Sequence, residues 1–265
     1  MPFTVPDLLF ALAPLAVLIY WMTKRPSMPA HKALPLAALL LYLVKLAWFA
    51  APPILVHAAV IYGLLTALTP ILIVAGAILL FQTMELSGAM DTVRTWLNAI
   101  SSDRVVQVMI VAWAFGFLVE GASGFGTPAA LAAPILVGLG VPPVAAAIVC
   151  LMMNTVPVSF GAVGTPIWFG FSQLELSSPE LRQIAIKTAL MNAAGAMFIP
   201  VIALSVVVDW QALRRRLVFI YLSILSCVVP YVLLAMVDDE FPAVAGGLIG
   251  LLFTVLLARY RIGLP

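Results

Sequence analysis

The sequence predicts an all-α fold, a polytopic bundle of transmembrane helices in which some helices are broken or re-entrant. Three observations carry that expectation. Of the 265 residues, 64% are hydrophobic and only 9% are charged, whereas soluble domains carry about a quarter of their residues as charges. So little polar surface cannot clothe a chain in water. Several apolar runs reach about 18 residues or more, the length that crosses a hydrocarbon core of roughly 30 Å at 1.5 Å rise per residue. Between residues 106 and 172 the apolar sequence is interrupted by clusters of glycine and proline, the residues that punctuate helices. The bilayer is therefore the solvent, and the chain reads as one transmembrane domain over residues 1–265 with a motif-bearing core over 106–172.

Hydropathy places spans at residues 5–23, 33–51, 69–86, 184–208, 217–237 and 241–258. No basic region precedes the first run, where Asp7 is the first charge, so that run is expected to stay as a span. Lys24, Arg25 and Lys32 mark the first connection as cytoplasmic; Arg214, Arg215 and Arg216 mark another, and Arg259 with Arg261 a third. Asp238, Asp239 and Glu240 then lie outside. The same count puts residues 90–104 inside and 173–182 outside, so an odd number of crossings joins them. Residues 106–171 nevertheless divide into about four apolar pieces, each near the lower limit for a span, and at least one is expected to be re-entrant or broken. With the N-terminus outside and the C-terminus inside, a following copy would be inserted upside down, as in one half of an inverted-repeat transporter. The formal charge of +2 is too small to indicate a nucleic-acid partner. Cys150 and Cys227 lie far apart without a CxxC spacing or a nearby His and read as small core residues, so neither a disulfide framework nor a metal site is expected.

Two breaks carry the chemistry. The first reads Glu120-Gly121-Ala122-Ser123-Gly124-Phe125-Gly126-Thr127-Pro128. Thr127 suits an N-cap and Pro128 the first helical position, which predicts a helix running through Leu139. Its unshielded amides and partial positive charge suit a carboxylate, and the glycines permit close approach. The second break, from Asn154 to Pro166, repeats Gly-Thr-Pro at Gly164, Thr165 and Pro166, so two half-helices are expected to face one site. The hydroxyls of Ser123, Thr127, Thr155, Ser159 and Thr165, with the Asn154 amide, offer hydrogen bonds to a small hydroxy acid. Backbone that leaves the helix at membrane depth needs a cavity or buried protein to satisfy its amides. The competing reading is close helix packing, where Gly, Ser and Thr are also common, and Thr69-Pro70 is a helix start without a glycine cluster. Glu120 is the most informative charge, since a carboxylate there is expensive unless paired or protonated. Burial and a neighbouring anion both favour its neutral form, which makes it the expected proton-coupling group, with an interfacial or structurally paired glutamate as the alternative.

Other charges are weaker candidates. Lys45 and His57 are expected to snorkel or sit at the interface, Lys187 follows an external loop, and Asp91 with Arg94 suit a local ion pair. Trp21, Trp48, Trp96, Trp168 and Trp210 flank apolar runs as interfacial anchors do.

The stretch GFLVEGASGFGTPAALAAPILVGLGVPPVAAAIVCLMMNTVPVSFGAVGTPIWFGF, residues 116–171, resembles the L-lactate permease family of bacterial transporters, through its EGA-x-GFG and NT-x-PV-x-FGA-x-G motifs. The order of the remaining helices is also similar, although family members are longer and the chain corresponds to their N-terminal half. The resemblance implies proton-coupled uptake of 2-hydroxymonocarboxylates such as lactate and glycolate across the bacterial inner membrane, without an organic cofactor or metal. It also implies that Glu120, Gly121, Ser123, Gly124, Phe125, Gly126, Asn154, Thr155, Pro157, Gly161 and Gly164 form the site region. A C-terminal half or second copy is then the expected partner. The alternatives are a carrier for another anion and an assembly subunit that does not transport alone. An intramembrane enzyme is disfavoured, because the breaks hold no His, no Cys and one carboxylate, too few groups for a triad or a metal centre.

Overall fold

A computed structural model describes residues 4–124, 126–171, 174 and 176–265; between residues 69 and 98 it covers the backbone throughout but only some of the side chains. Among the described residues the secondary structure is helical, without strands. The chain forms two compact units, residues 1–71 and 72–265.

In the first unit α1 (Val5–Thr23) packs on α2 (Ala30–Ala47), and α3 (Pro53–Leu86) begins. Thr4 caps α1: its hydroxyl donates to the Asp7 carboxylate at 2.6 Å and its amide at 3.0 Å, satisfying donors that a helix start leaves free. The other Asp7 oxygen accepts from the Trp48 indole at 3.0 Å, and that indole stacks on Phe10, so the start of α1 is tied to the end of α2. Lys45 lies 5.7 Å from the Phe49 ring and the Tyr42 hydroxyl meets the His57 ring at 2.8 Å, so both expected interfacial groups have local partners. The 69–86 span differs from expectation. The helix starts at Pro53 and runs without interruption through residues 69 and 70, so Thr69-Pro70 is not a helix start. The apolar sequence before it continues the helix, and an internal proline costs a hydrogen bond without ending it.

After α4 (Ala89–Ile100), the second unit is built around α5 (Arg104–Val108), a π-helical stretch (Met109–Phe115) and α6 (Gly116–Ser123), which run on as one 20-residue span, the most buried of the six candidate membrane-spanning helices among the described residues. Trp113, Phe117, Tyr231 and Phe160 stack edge to face in series, with centroids 5.2 to 5.4 Å apart. Short α7 (Thr127–Gly138) returns beside this span, and α8 (Pro143–Asn154) is followed by a 3₁₀ turn (Val158–Phe160) and α9 (Gly161–Trp168), bent by 65° from α8. The expected four apolar pieces are thus one long span, one short helix and one broken span. Next come α10 (Ser178–Ala196), α11 (Ile199–Leu204), α12 (Trp210–Arg214), α13 (Leu217–Ala235) and α14 (Pro242–Arg259). The span expected at 184–208 starts six residues earlier, because Ser177 and Glu180 form a capping box that hydropathy does not register. α14 closes on its neighbours through glycines: β-carbons at Gly247 and Gly250 would overlap Leu118 and Cys227.

The ends of this unit pair as the charges predict. Asp103 forms an ion pair with Arg216, joining two connections expected inside, and the Arg104 guanidinium donates to the Leu139 carbonyl at 3.2 Å. At the opposite end Arg182 donates to the Met236 carbonyl at 3.3 Å and lies 3.8 Å from Asp239, joining those expected outside. Large apolar side chains cover the outside of both units, Leu8, Leu9, Ile54, Met191, Leu233 and Leu252 all being more than half exposed. Such a surface is stable against lipid. Trp48, Trp96, Trp168 and Trp210 are exposed as well, as interfacial anchors are.

Candidate functional site

The first break falls between Ser123 and Thr127. α6 stops at Gly124 (φ 62°), Gly126 (φ 74°, ψ 11°) is the N-cap of α7, and Phe125 lies outside the described residues. Thr127 is therefore the first helical residue and not the cap, with Pro128 second. A left-handed N-cap is open to glycine at no steric cost, which leaves the Thr127 hydroxyl to donate to the Gly124 carbonyl at 2.7 Å.

The second break repeats this geometry after a longer excursion. Ala162 (φ 47°), Val163 (φ 55°) and Gly164 (φ 71°, ψ 8°) are all left-handed. For a β-branched residue such as Val163 this is a strained conformation, held only where the surroundings dictate it. Gly164 matches Gly126 within a few degrees, and the Thr165 hydroxyl donates to the Ala162 carbonyl as Thr127 does to Gly124. The repeated tripeptide takes a repeated conformation.

Packing brings the two breaks together. A β-carbon at Gly124 would come 2.8 Å from the nitrogen of Ala162, and one at Gly161 would come 2.6 Å from Oε1 of Glu120. Glu120 is 1% exposed. Its polar neighbours are the Asn154 side chain and the Gly126 backbone N–H, yet neither carboxyl oxygen, nor Oδ1 of Asn154, has a partner in hydrogen-bond geometry among the described residues. Buried polar atoms are ordinarily paired, which makes this the most polar point of the otherwise apolar region around the breaks. Beside it lies a cavity of about 260 Å³ lined by Glu120, Gly161, Thr165 and Phe169 among others. Pockets for drug-sized ligands run to about 300–1,000 Å³, so this one suits a smaller guest.

The remaining expected site residues fall into two groups. Ser123 donates to the Val119 carbonyl and Thr155 to the Met152 carbonyl, each at 2.7 Å, so their hydroxyl hydrogens, like those of Thr127 and Thr165, go to nearby carbonyls and their lone pairs remain. Ser159 instead accepts from the Asn192 amide at 3.0 Å, and that amide also donates to the Tyr231 hydroxyl at 2.9 Å. Gly121 packs on α14, where a β-carbon would come 2.5 Å from the Val244 nitrogen, and Gly164 packs on Asp239 and Glu240. Gly121 serves helix approach and Gly164 the close packing of a loop. They also place the cavity near the end of the unit that carries the acidic loop. Val158, Ala162, Pro166 and Gly170 line the cavity without having been singled out, and Asn192 holds the second break from another helix. A lone amide in an apolar span is the signal that marks Asn192. No group of three His, Cys, Asp or Glu residues among the described residues is placed to hold a metal ion.

A helical membrane protein in which two discontinuous helices meet over a cavity has the architecture that secondary transporters use. The chain belongs to the L-lactate permease family, whose model matches residues 7–262. It is 48% identical over 97% of its length to a Haemophilus influenzae protein provisionally named L-lactate permease, covering 48% of that protein. It is 30% identical over 82% of its length to the L-lactate permease of Escherichia coli, covering 40% of it, and 40% identical over 52% of its length to the Escherichia coli glycolate permease GlcA, covering 25%. The chain thus spans about half the length of the relatives it matches or less. No solved structure matches it. Six helices among the described residues are long and apolar enough to cross a membrane, which fits the multi-pass membrane protein that membership of a permease family implies.

Proposed function

We propose that the chain forms the substrate-bearing half of a proton-coupled symporter for small 2-hydroxymonocarboxylates such as lactate and glycolate. The names of the relatives support the substrate class. One observation carries the coupling: Glu120 is buried, has no ion pair among the described residues, and lines the cavity beside the two breaks. Two like charges 4 Å apart repel by about 4 kcal/mol at an effective dielectric of 20. A carboxylate guest beside Glu120 therefore favours a protonated glutamate, and the proton travels with the anion. The polar atoms left over at Glu120 and Asn154 then have a guest to bond.

Uptake of labelled L-lactate into proteoliposomes that hold the chain together with a complementary C-terminal half, under an imposed pH gradient, tests this reading, with sulfate, acetate and dicarboxylates as competitors and a sodium gradient as control. Glu120→Gln is expected to retain lactate exchange and lose accumulation driven by the proton gradient. Unchanged proton-driven accumulation in that variant refutes the coupling role, and competition by sulfate but not glycolate refutes the substrate class. Because the chain spans only about half of its relatives, the proposal includes a complementary C-terminal half as partner. Purified chain without uptake, restored by co-expression with such a half, is the expected behaviour.

A further inference from the structure

A second cavity, of about 550 Å³, is lined by Arg104, Ser205, Val206, Asp209, Trp210 and Ala212 among others, and takes no residue from either break. It adjoins the ion pair at the end expected inside, since Arg104 follows Asp103 in the chain and the Ala212 carbonyl accepts from Arg216 at 2.9 Å. Its wall carries charges of both signs that do not pair with each other. Arg104 uses one guanidinium nitrogen on the Leu139 carbonyl, and its other donors have no protein partner among the described residues. Asp209 is the N-cap residue of α12, yet its carboxylate accepts no capping hydrogen bond and forms no ion pair among the described residues. An aspartate in that place ordinarily accepts from an amide of the first turn, so this carboxylate stays open to a guest. The Ser205 hydroxyl donates to the Ile202 carbonyl at 2.6 Å, which leaves its lone pairs as further acceptors. A guest with an anionic and a cationic group joined by a short linker complements such a wall, whereas a simple anion is repelled by Asp209 and a simple cation by Arg104. The surroundings are those of a bilayer interface. Trp210 is exposed, as anchors at headgroup level are. Phe198, Ile202 and Val206, all exposed, follow at four-residue intervals along α11 and just beyond it, so that an apolar stripe ends at the cavity wall.

We propose that this cavity binds the headgroup of a zwitterionic aminophospholipid such as phosphatidylethanolamine, with the phosphate on Arg104, the ammonium on Asp209 and an acyl chain along Phe198 and Ile202. The site is independent of which solute the protein transports. Phosphatidylglycerol, anionic and without an ammonium, shares the phosphate contact and lacks the one to Asp209. Glycerophosphoethanolamine, a soluble phosphodiester, carries both charges and lacks the acyl chains. Comparing the three separates the contribution of each part of the wall.

The test is native mass spectrometry of the chain together with its complementary C-terminal half, in mild detergent with the three compounds at equal concentration. The unaltered protein is expected to retain phosphatidylethanolamine about threefold over phosphatidylglycerol, the effect of one exposed ion pair. Asp209→Asn abolishes that preference. Arg104→Gln weakens retention of both lipids, because the phosphate is common to them, and Glu240→Gln at the opposite end of the unit leaves the preference in place. Equal retention of the two lipids by the unaltered protein, a preference that survives in Asp209→Asn, or unchanged retention in Arg104→Gln overturns the proposal. Loss of the preference in Glu240→Gln also overturns it, since net charge would then explain the selection. Retention of glycerophosphoethanolamine to the same extent as the lipid overturns the membrane source of the guest. If Arg104→Gln does not fold, Asp209→Asn decides alone, at an exposed position.

Discussion

At the scale of single residues the contact between Glu120 and Gly161 governs the site. The carboxyl lies where the β-carbon of any other residue at 161 would be, 2.6 Å from Oε1. Gly161→Ala is therefore expected to push Glu120 out of the cavity wall. Lactate uptake should fall about tenfold or more, the effect of misplacing a positioned group by about 1 Å, while the melting temperature in detergent changes little. Equal uptake by the alanine variant would show that the carboxyl position is immaterial. Glu120 and Asn154 were legible as polar residues at a break in apolar sequence. That they face one another across two breaks was not, because their sequence separation carries no information about which turns pack together.

At the scale of elements the second break is the demanding one. Three successive left-handed residues, two of them with side chains, are held in place from outside: Phe160 is stacked on Tyr231 and Ser159 is bonded to Asn192. Tyr231→Phe keeps the ring stacking and deletes the bond from Asn192. It is expected to cost about 1 kcal/mol, the net worth of one hydrogen bond, and to speed amide hydrogen exchange over residues 158–164 more than elsewhere. Uniform change across the protein would argue against a local clamp. The Gly-Thr-Pro repeat is visible in the sequence, but the N-cap at its first copy is Gly126 and not Thr127. Threonine is a common N-cap, and only the backbone shows that Gly126 takes that place and frees the threonine hydroxyl for the carbonyl behind it. Ala162 and Val163 could not be foreseen as left-handed, since nothing local favours that conformation in a residue with a β-carbon.

At the scale of the whole molecule the second unit is assembled by close helix approach. Gly250 faces Cys227 and Gly247 faces Leu118 with no room for a β-carbon. Gly250→Val is expected to lower stability by about 1–3 kcal/mol through overpacking. A reduced melting temperature in detergent would register this, with lactate uptake per folded molecule retained. A melting temperature equal to that of the unaltered protein would contradict so tight a contact. The pairing of Asp103 with Arg216 at one end and of Arg182 with Asp239 at the other matches the alternation read from the basic loops. Loop charges that orient helices in a membrane are local in sequence, so they could be read without a structure.

Sequence alone determined the solvent, the helical class, the alternation of the ends and the two places where helices break, because each depends on composition or on residues adjacent in the chain. Tertiary structure decided that the breaks meet, that Glu120 rests on Gly161, that the loop at Asp239 and Glu240 packs on Gly164, and which glycines serve packing instead of the cavity. Those facts depend on contacts between segments tens of residues apart, set by how side-chain volumes fit when helices close on one another.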